Sequence, residues 1–101
     1  MLTLPIKKKW LDMILSGEKK EEYREVKPYY DTRFANLFPF GPSFDDYKEK
    51  IMFRNGYSKD SPQFTAICTF DIGMGKQEWG AEAGKNYYIL KICEIVEKKN
   101  C

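Results

Sequence analysis

The chain has 101 residues, 43% of them hydrophobic and 32% charged, and carries a net charge of +2. This composition predicts one folded domain, because a second core in so short a chain would bury too little surface to hold itself together, and a disordered chain would carry fewer apolar side chains. So small a net charge does not by itself point to nucleic-acid binding, but 17 basic residues leave room for a basic face.

In chain order, Leu2-Thr3-Leu4-Pro5-Ile6 alternates as a short first strand, with Pro5 restricting it to an edge or a strand end. From Lys7 to Ser16 the period becomes helical: Ile6, Trp10, Met13, Ile14 and Gly17 share a side, flanked by Leu11 and Leu15. Gly17 suits a left-handed C-terminal cap, while no Ser, Thr, Asp or Asn immediately precedes the helix to cap its N-terminus. Lys7-Lys8-Lys9 reads first as a solvated helix face and second as the edge of a phosphate track.

Lys20 to Val26 is expected to be a strand with Lys20, Glu22, Arg24 and Val26 on one face and Glu21, Tyr23 and Glu25 on the other. Charge on both faces is unusual for a half-buried strand, so one face is expected to meet solvent and the other to line a wet cavity beside the helix. Pro28 to Phe38 reads as a second helix, with Pro28 in its first turn and Tyr30, Phe34, Leu37 and Phe38 at helical spacing. Gly41-Pro42 marks a loop, and Asp45-Asp46 could open a short helical turn.

Ile51 to Arg54 is a strand ending at the Asn55-Gly56 turn, for which no role beyond the turn is expected. Gln63 to Ile72 is the clearest strand, with Phe64, Ala66, Cys68 and Phe70 on one face, and Gly73-Met74-Gly75 is expected to bend the chain after it. Glu78 to Gly84 forms a glycine-bounded loop around Trp79, and Asn86 to Val96 closes the domain as a strand. Several strands and two early helices in a single domain over residues 1–101 predict an α+β fold, a small β-barrel with short helices packed at its openings.

Cysteine and histidine usage narrows the chemistry. Cys68, Cys93 and Cys101 are odd in number and widely spaced, which argues against a disulfide framework or a structural zinc site. With no histidine, the chain lacks the commonest metal ligand and the commonest general base near neutral pH. No metal and no cofactor are expected. The absence of a signal-type h-region or a membrane-length apolar run makes the cytoplasm the simplest location and excludes the membrane as a partner.

The residues that carry chemistry are gathered in Gly17-Glu18-Lys19-Lys20-Glu21-Glu22-Tyr23-Arg24, a Gly-x-Lys-x-x-Glu-x-Arg spacing that joins a helix stop to a strand. Arg24 offers a planar fork for phosphate or carboxylate, Lys19 a mobile point charge, and Glu22 an acceptor for an amino group or a brace for Arg24. The plainer reading is an exposed ion pair worth roughly 0–1 kcal/mol. Tyr29, Tyr30 and Trp79 could stack on a base or simply pack, Trp10 reads as core, and Glu78 and Glu82 read as exposed.

The segment from Leu4 to Arg24 resembles the ASCH domain, a branch of the PUA-like superfamily, and Tyr87-Tyr88-Ile89-Leu90-Lys91-Ile92 resembles that family's last barrel strand. The texture from Trp10 to Tyr30 and at Trp79-Gly80-Ala81-Glu82 is similar to small stand-alone ASCH proteins of bacteria and phages. The resemblance implies a PUA-like pseudo-barrel whose cleft beside the first helix is lined by the motif and binds RNA or a nucleotide-like molecule. One branch of the family hydrolyses acylated cytidine nucleosides with a Lys, a Thr nucleophile and a Glu. Here Lys19 matches the lysine, while the threonine position holds Glu22, a poor substitute for an alkoxide.

Three functions follow as expectations. The first is an RNA- or nucleotide-binding module using Lys19, Glu22, Arg24, Tyr29, Tyr30 and Trp79. The second is a hydrolase acting on a modified nucleoside or RNA, with Lys19 relaying a proton, Glu22 activating water and Arg24 stabilising negative charge. The third is a module that binds an unidentified host or partner protein through its aromatic loops.

Overall fold

The computed structural model describes all residues, Met1–Cys101. Its elements run β1 (Leu2–Pro5), α1 (Lys8–Leu15), β2 (Glu21–Glu25), α2 (Pro28–Leu37), β3 (Glu49–Arg54), β4 (Gln63–Met74), a single 3-10 turn (Gln77–Trp79) and β5 (Asn86–Lys99). The helices and most strands fall where the sequence pattern puts them. Gly73 does not end its strand: β4 continues to Met74, because those residues pair with Tyr87 and Asn86 of β5. Residues around Asp45 and Asp46 form turns without a helix.

The strands make one mixed, five-stranded sheet in the order β1-β3-β4-β5-β2. Only β1 and β3 are parallel; every other neighbouring pair is antiparallel. A backbone-closed barrel is therefore not formed, since β1 and β2 remain as edges. The sheet nevertheless curls. The β4–β5 register shifts between Thr65 and Ala66 and again between Ile67 and Cys68, so β5 contributes an extra residue at each place, and such bulges raise local twist and bend the strand. The two edges come within reach of one side chain, because Arg24 of β2 donates through Nη2 to the carbonyl of Pro5 in β1.

One face of the sheet and both helices share the main core. Leu4, Leu11, Ile51, Phe53, Ala66 and Leu90 are almost fully buried there. Phe34 of α2 packs within 5.3 Å of Phe70 and 5.2 Å of Tyr88, ring centre to ring centre, and the Tyr88 hydroxyl donates to Asp31 on the same helix. A smaller cluster of Tyr23, Ala81, Tyr87 and Ile89 lies under Trp79. All three cysteines are free, and burial pushes the Cys68 thiol up to about 12. No helix is long and apolar enough to cross a membrane.

Candidate functional site

The site starts at the end of α1. Gly17 has φ +85°, a left-handed conformation that glycine adopts without steric cost. Its amide donates to Ile14 O at 3.1 Å, and the amide of Lys19 donates to Met13 O at 3.0 Å. This reversal folds residue 19 back beside the helix it has just left, and its ammonium lies 4.1 Å from the centre of the Trp10 ring.

Lys19 and Glu22 are 2% and 3% exposed, so the motif is not a solvated pair. Lys19 Nζ donates to the carbonyl of Trp79 at 2.7 Å and sits 2.8 Å from Glu22 Oε1. The other carboxylate oxygen, Oε2, lies 2.9 Å from Arg24 Nη1. Arg24 Nη1 also donates to Tyr23 O at 2.7 Å. Lys19, Glu22 and Arg24 thus form one chain of alternating charge, and no buried side-chain polar atom in the structure lacks a partner.

Burial holds the Lys19 ammonium below the usual lysine range; the Glu22 carboxylate opposes that shift, and Arg24 and Lys9 add to it. Beside it, burial raises the Tyr23 phenol above its ordinary value, helped by its bond to Glu21 and opposed by the Lys76 amide that donates to it. The signs separate the two groups. A lowered Lys19 makes the folded state bind fewer protons than the unfolded one, so its contribution to stability rises with pH up to about 10.4, its unfolded value. A raised Tyr23 makes the folded state hold its proton longer, so stability is intact below about pH 10 and falls above it. Urea unfolding across pH 8–11.5 should therefore show a decline beginning near pH 10 that is shallower in Tyr23→Phe. An identical decline in that variant would move the effect to Tyr47 and Tyr88, whose phenols are raised by Glu49 and Asp31.

The chain of charges forms the floor of a cleft of about 640 Å³, within the range typical of small-molecule sites. Six basic and three acidic side chains line it, a positive balance larger than that of the whole protein. Lys7, Lys27, Arg54 and Lys85 supply the basic rim, and Trp10, Tyr30, Tyr57 and Trp79 the aromatic surface. Gly80 fits here for a steric reason: at φ +104°, a Cβ on it would stand 2.9 Å from the Trp10 ring.

Of the residues expected from sequence, Lys19, Glu22, Arg24, Tyr30 and Trp79 line this one cleft. Tyr29 does not. It is exposed, with the Arg33 guanidinium 3.5 Å from its ring centre, because successive helical residues point about 100° apart and Tyr30 takes the direction that stacks on Phe34. Trp79 contributes a backbone carbonyl as well as its ring. Trp10, read as core, packs against the core and lines the cleft as well. Glu82 lines the cleft and Glu78 does not.

Sequence reasoning missed the opposite wall. Asn55 does more than turn the chain: its Nδ2 donates to Ile6 O at 2.8 Å, tying the end of β3 to the link between β1 and α1. Arg54 and Tyr57 flank it on the rim. The Asn-Gly pair was the available signal, masked because that dipeptide is sufficiently explained by a hairpin turn. No group of three or more His, Cys, Asp or Glu side chains could hold a metal ion. No protein-family model, no curated protein and no solved structure matches this chain.

Proposed function

We propose that the protein is an ASCH-type, PUA-like module whose cleft binds RNA or a nucleotide-like ligand. The supporting observation is the buried Lys19–Glu22–Arg24 chain at the base of a basic, aromatic-walled cleft. Buried ion pairs are a weak source of stability, and apolar replacements are often neutral or better. A small core that retains three linked charges is therefore better explained by recognition than by folding. Three acceptors engage Arg24, leaving two of its five N–H groups for a phosphate or a base edge. The curled sheet, its edges bridged by Arg24, is read as the pseudo-barrel of that superfamily.

Binding is favoured over hydrolysis by Glu22. Both of its oxygens are committed to cations, which suits a brace that orients Lys19 and Arg24 better than a base that must take a proton from water. Nucleoside monophosphates and short single-stranded RNAs should quench the fluorescence of Trp10 or Trp79 and bind more weakly as salt rises. Arg24→Gln should weaken binding by about ten-fold or more, as expected for lost hydrogen bonds between charged groups. No binding at low salt, or unchanged binding by a folded Arg24→Gln protein, would overturn this function. Turnover of acylated cytidine that disappears in Glu22→Gln would replace it with the hydrolytic one.

A further inference from the structure

A second groove, of about 260 Å³, lies on the outer face of the sheet where β3, β4 and the end of β5 run side by side. Its walls include Arg54, Lys59, Lys98 and Lys99, against a single acidic residue, Glu97. Arg54 also lines the cleft described above, so this residue is the ridge between the two depressions.

The ridge is braced from the groove side. Gln63 is 4% exposed, and its Oε1 accepts from Arg54 Nε at 3.3 Å and from Nη2 at 3.1 Å. Its Nε2 donates to the carbonyls of Lys59 and Ser61 at 2.6 and 3.0 Å, which holds the loop bearing Lys59 against β4. Met52 Sδ approaches Arg54 Nη2 at 3.4 Å. No protein acceptor engages Arg54 Nη1, so both of its N–H groups are free for a ligand.

We infer that the groove is a second subsite that holds the backbone phosphates of a single-stranded RNA whose one nucleotide occupies the cleft. This rests on the cleft reading above and specifies its ligand as a polynucleotide. The strand leaves the cleft across Arg54, whose free nitrogen meets the first phosphate, and the following phosphates run past Lys59, Lys98 and Lys99. The groove presents little aromatic surface beyond Phe64, which is itself core. Its contribution is electrostatic and indifferent to base identity, while the aromatic cleft reads the nucleotide.

The test compares a nucleoside monophosphate with a ten-nucleotide RNA that carries the same base, using the full chain and a Lys59→Ala/Lys98→Ala/Lys99→Ala variant. All three lysines are exposed, so the variant should fold. The decamer should bind more tightly than the monophosphate, with a steeper salt dependence. Removing three phosphate contacts should lower that slope by about 2, at roughly 0.7 per contact for single strands, and bring the decamer toward the monophosphate affinity. Monophosphate binding itself should not change. Equal affinity for the two ligands, or a decamer slope unmoved by the variant, overturns the second subsite and leaves the cleft standing. Failure of both ligands to bind overturns the cleft and the subsite together. Displacement of the decamer by an equally charged polyglutamate peptide at the same concentration as by RNA would assign the groove to an acidic peptide and overturn the inference.

Discussion

Glu22→Ala is expected to destabilise the protein by about 3–5 kcal/mol, the usual cost of removing one partner from a buried ion pair. The carboxylate is the only anion in contact with Lys19 Nζ and Arg24 Nη1. Without it two cations face each other across a site from which water is largely excluded, and the Lys19 ammonium keeps the Trp79 carbonyl and the faces of the Trp10 and Tyr23 rings but no anion. In a domain of this size the melting temperature should fall by at least ~10 °C. Adding Lys19→Met should recover part of the loss, because it removes one of the stranded charges and leaves an apolar side chain of similar length. The double-mutant cycle measures this directly: additive losses from the two substitutions would show that Lys19 and Glu22 are not coupled and would remove the physical basis of the site.

Phe34→Ala should cost a similar amount, about 3–5 kcal/mol, through a different cause. Phe34 is 1% exposed and stands between Tyr30, Phe70 and Tyr88. Its loss opens a cavity that rigid strands on one side cannot fill, and it loosens α2 against the sheet. Because Tyr30 sits one turn earlier on the same helix and lines the cleft, ligand affinity should fall as well as stability. Phe34→Leu, which keeps most of the volume, should restore the larger part of both. Chemical denaturation read by circular dichroism supplies the first number and a binding titration the second; a loss under 1 kcal/mol would mean that α2 is held by its first turn, through Asp31 and Lys27, rather than by its aromatic face.

The elements were legible because period and punctuation agreed. Gly17 at the end of an apolar 3.6-residue stripe specifies a helix stop by the same left-handed geometry that the structure contains. The alternation of Phe64, Ala66, Cys68 and Phe70 specifies which face of β4 enters the core. Charge on both faces of β2 pointed to one cavity face and one solvent face. Glu22 and Arg24 do line a cavity, but the other face buries Tyr23 against Ala81, Tyr87 and Ile89, and the strand's two-residue period could not say that Lys19, which precedes the strand, would join Glu22. That depends on the amide of residue 19 bonding back to Met13, a tertiary choice made after the glycine turn. Closure of the sheet was not legible either. A barrel answers the edge problem in principle; here a guanidinium reaching a carbonyl joins the edges where a ladder of backbone bonds was expected. The wall formed by Arg54 and Asn55 was hidden for a related reason, since its contacts with Gln63 and Ile6 are long-range and leave no periodic trace.

The topology also sets the order in which the site can come into being. β2 has β5 as its only neighbour in the sheet, so the strand bearing Glu22 and Arg24 has nothing to pair with until Tyr87–Lys91 have been made. β1 likewise waits for Ile51–Arg54, and the Lys19 ammonium for the carbonyl of Trp79. Such distant pairings make folding slow relative to local helix formation. On the ribosome, a nascent chain that has emerged only as far as α2 carries the complete charged motif without a recess to put it in, and the cleft cannot assemble until β5 has followed.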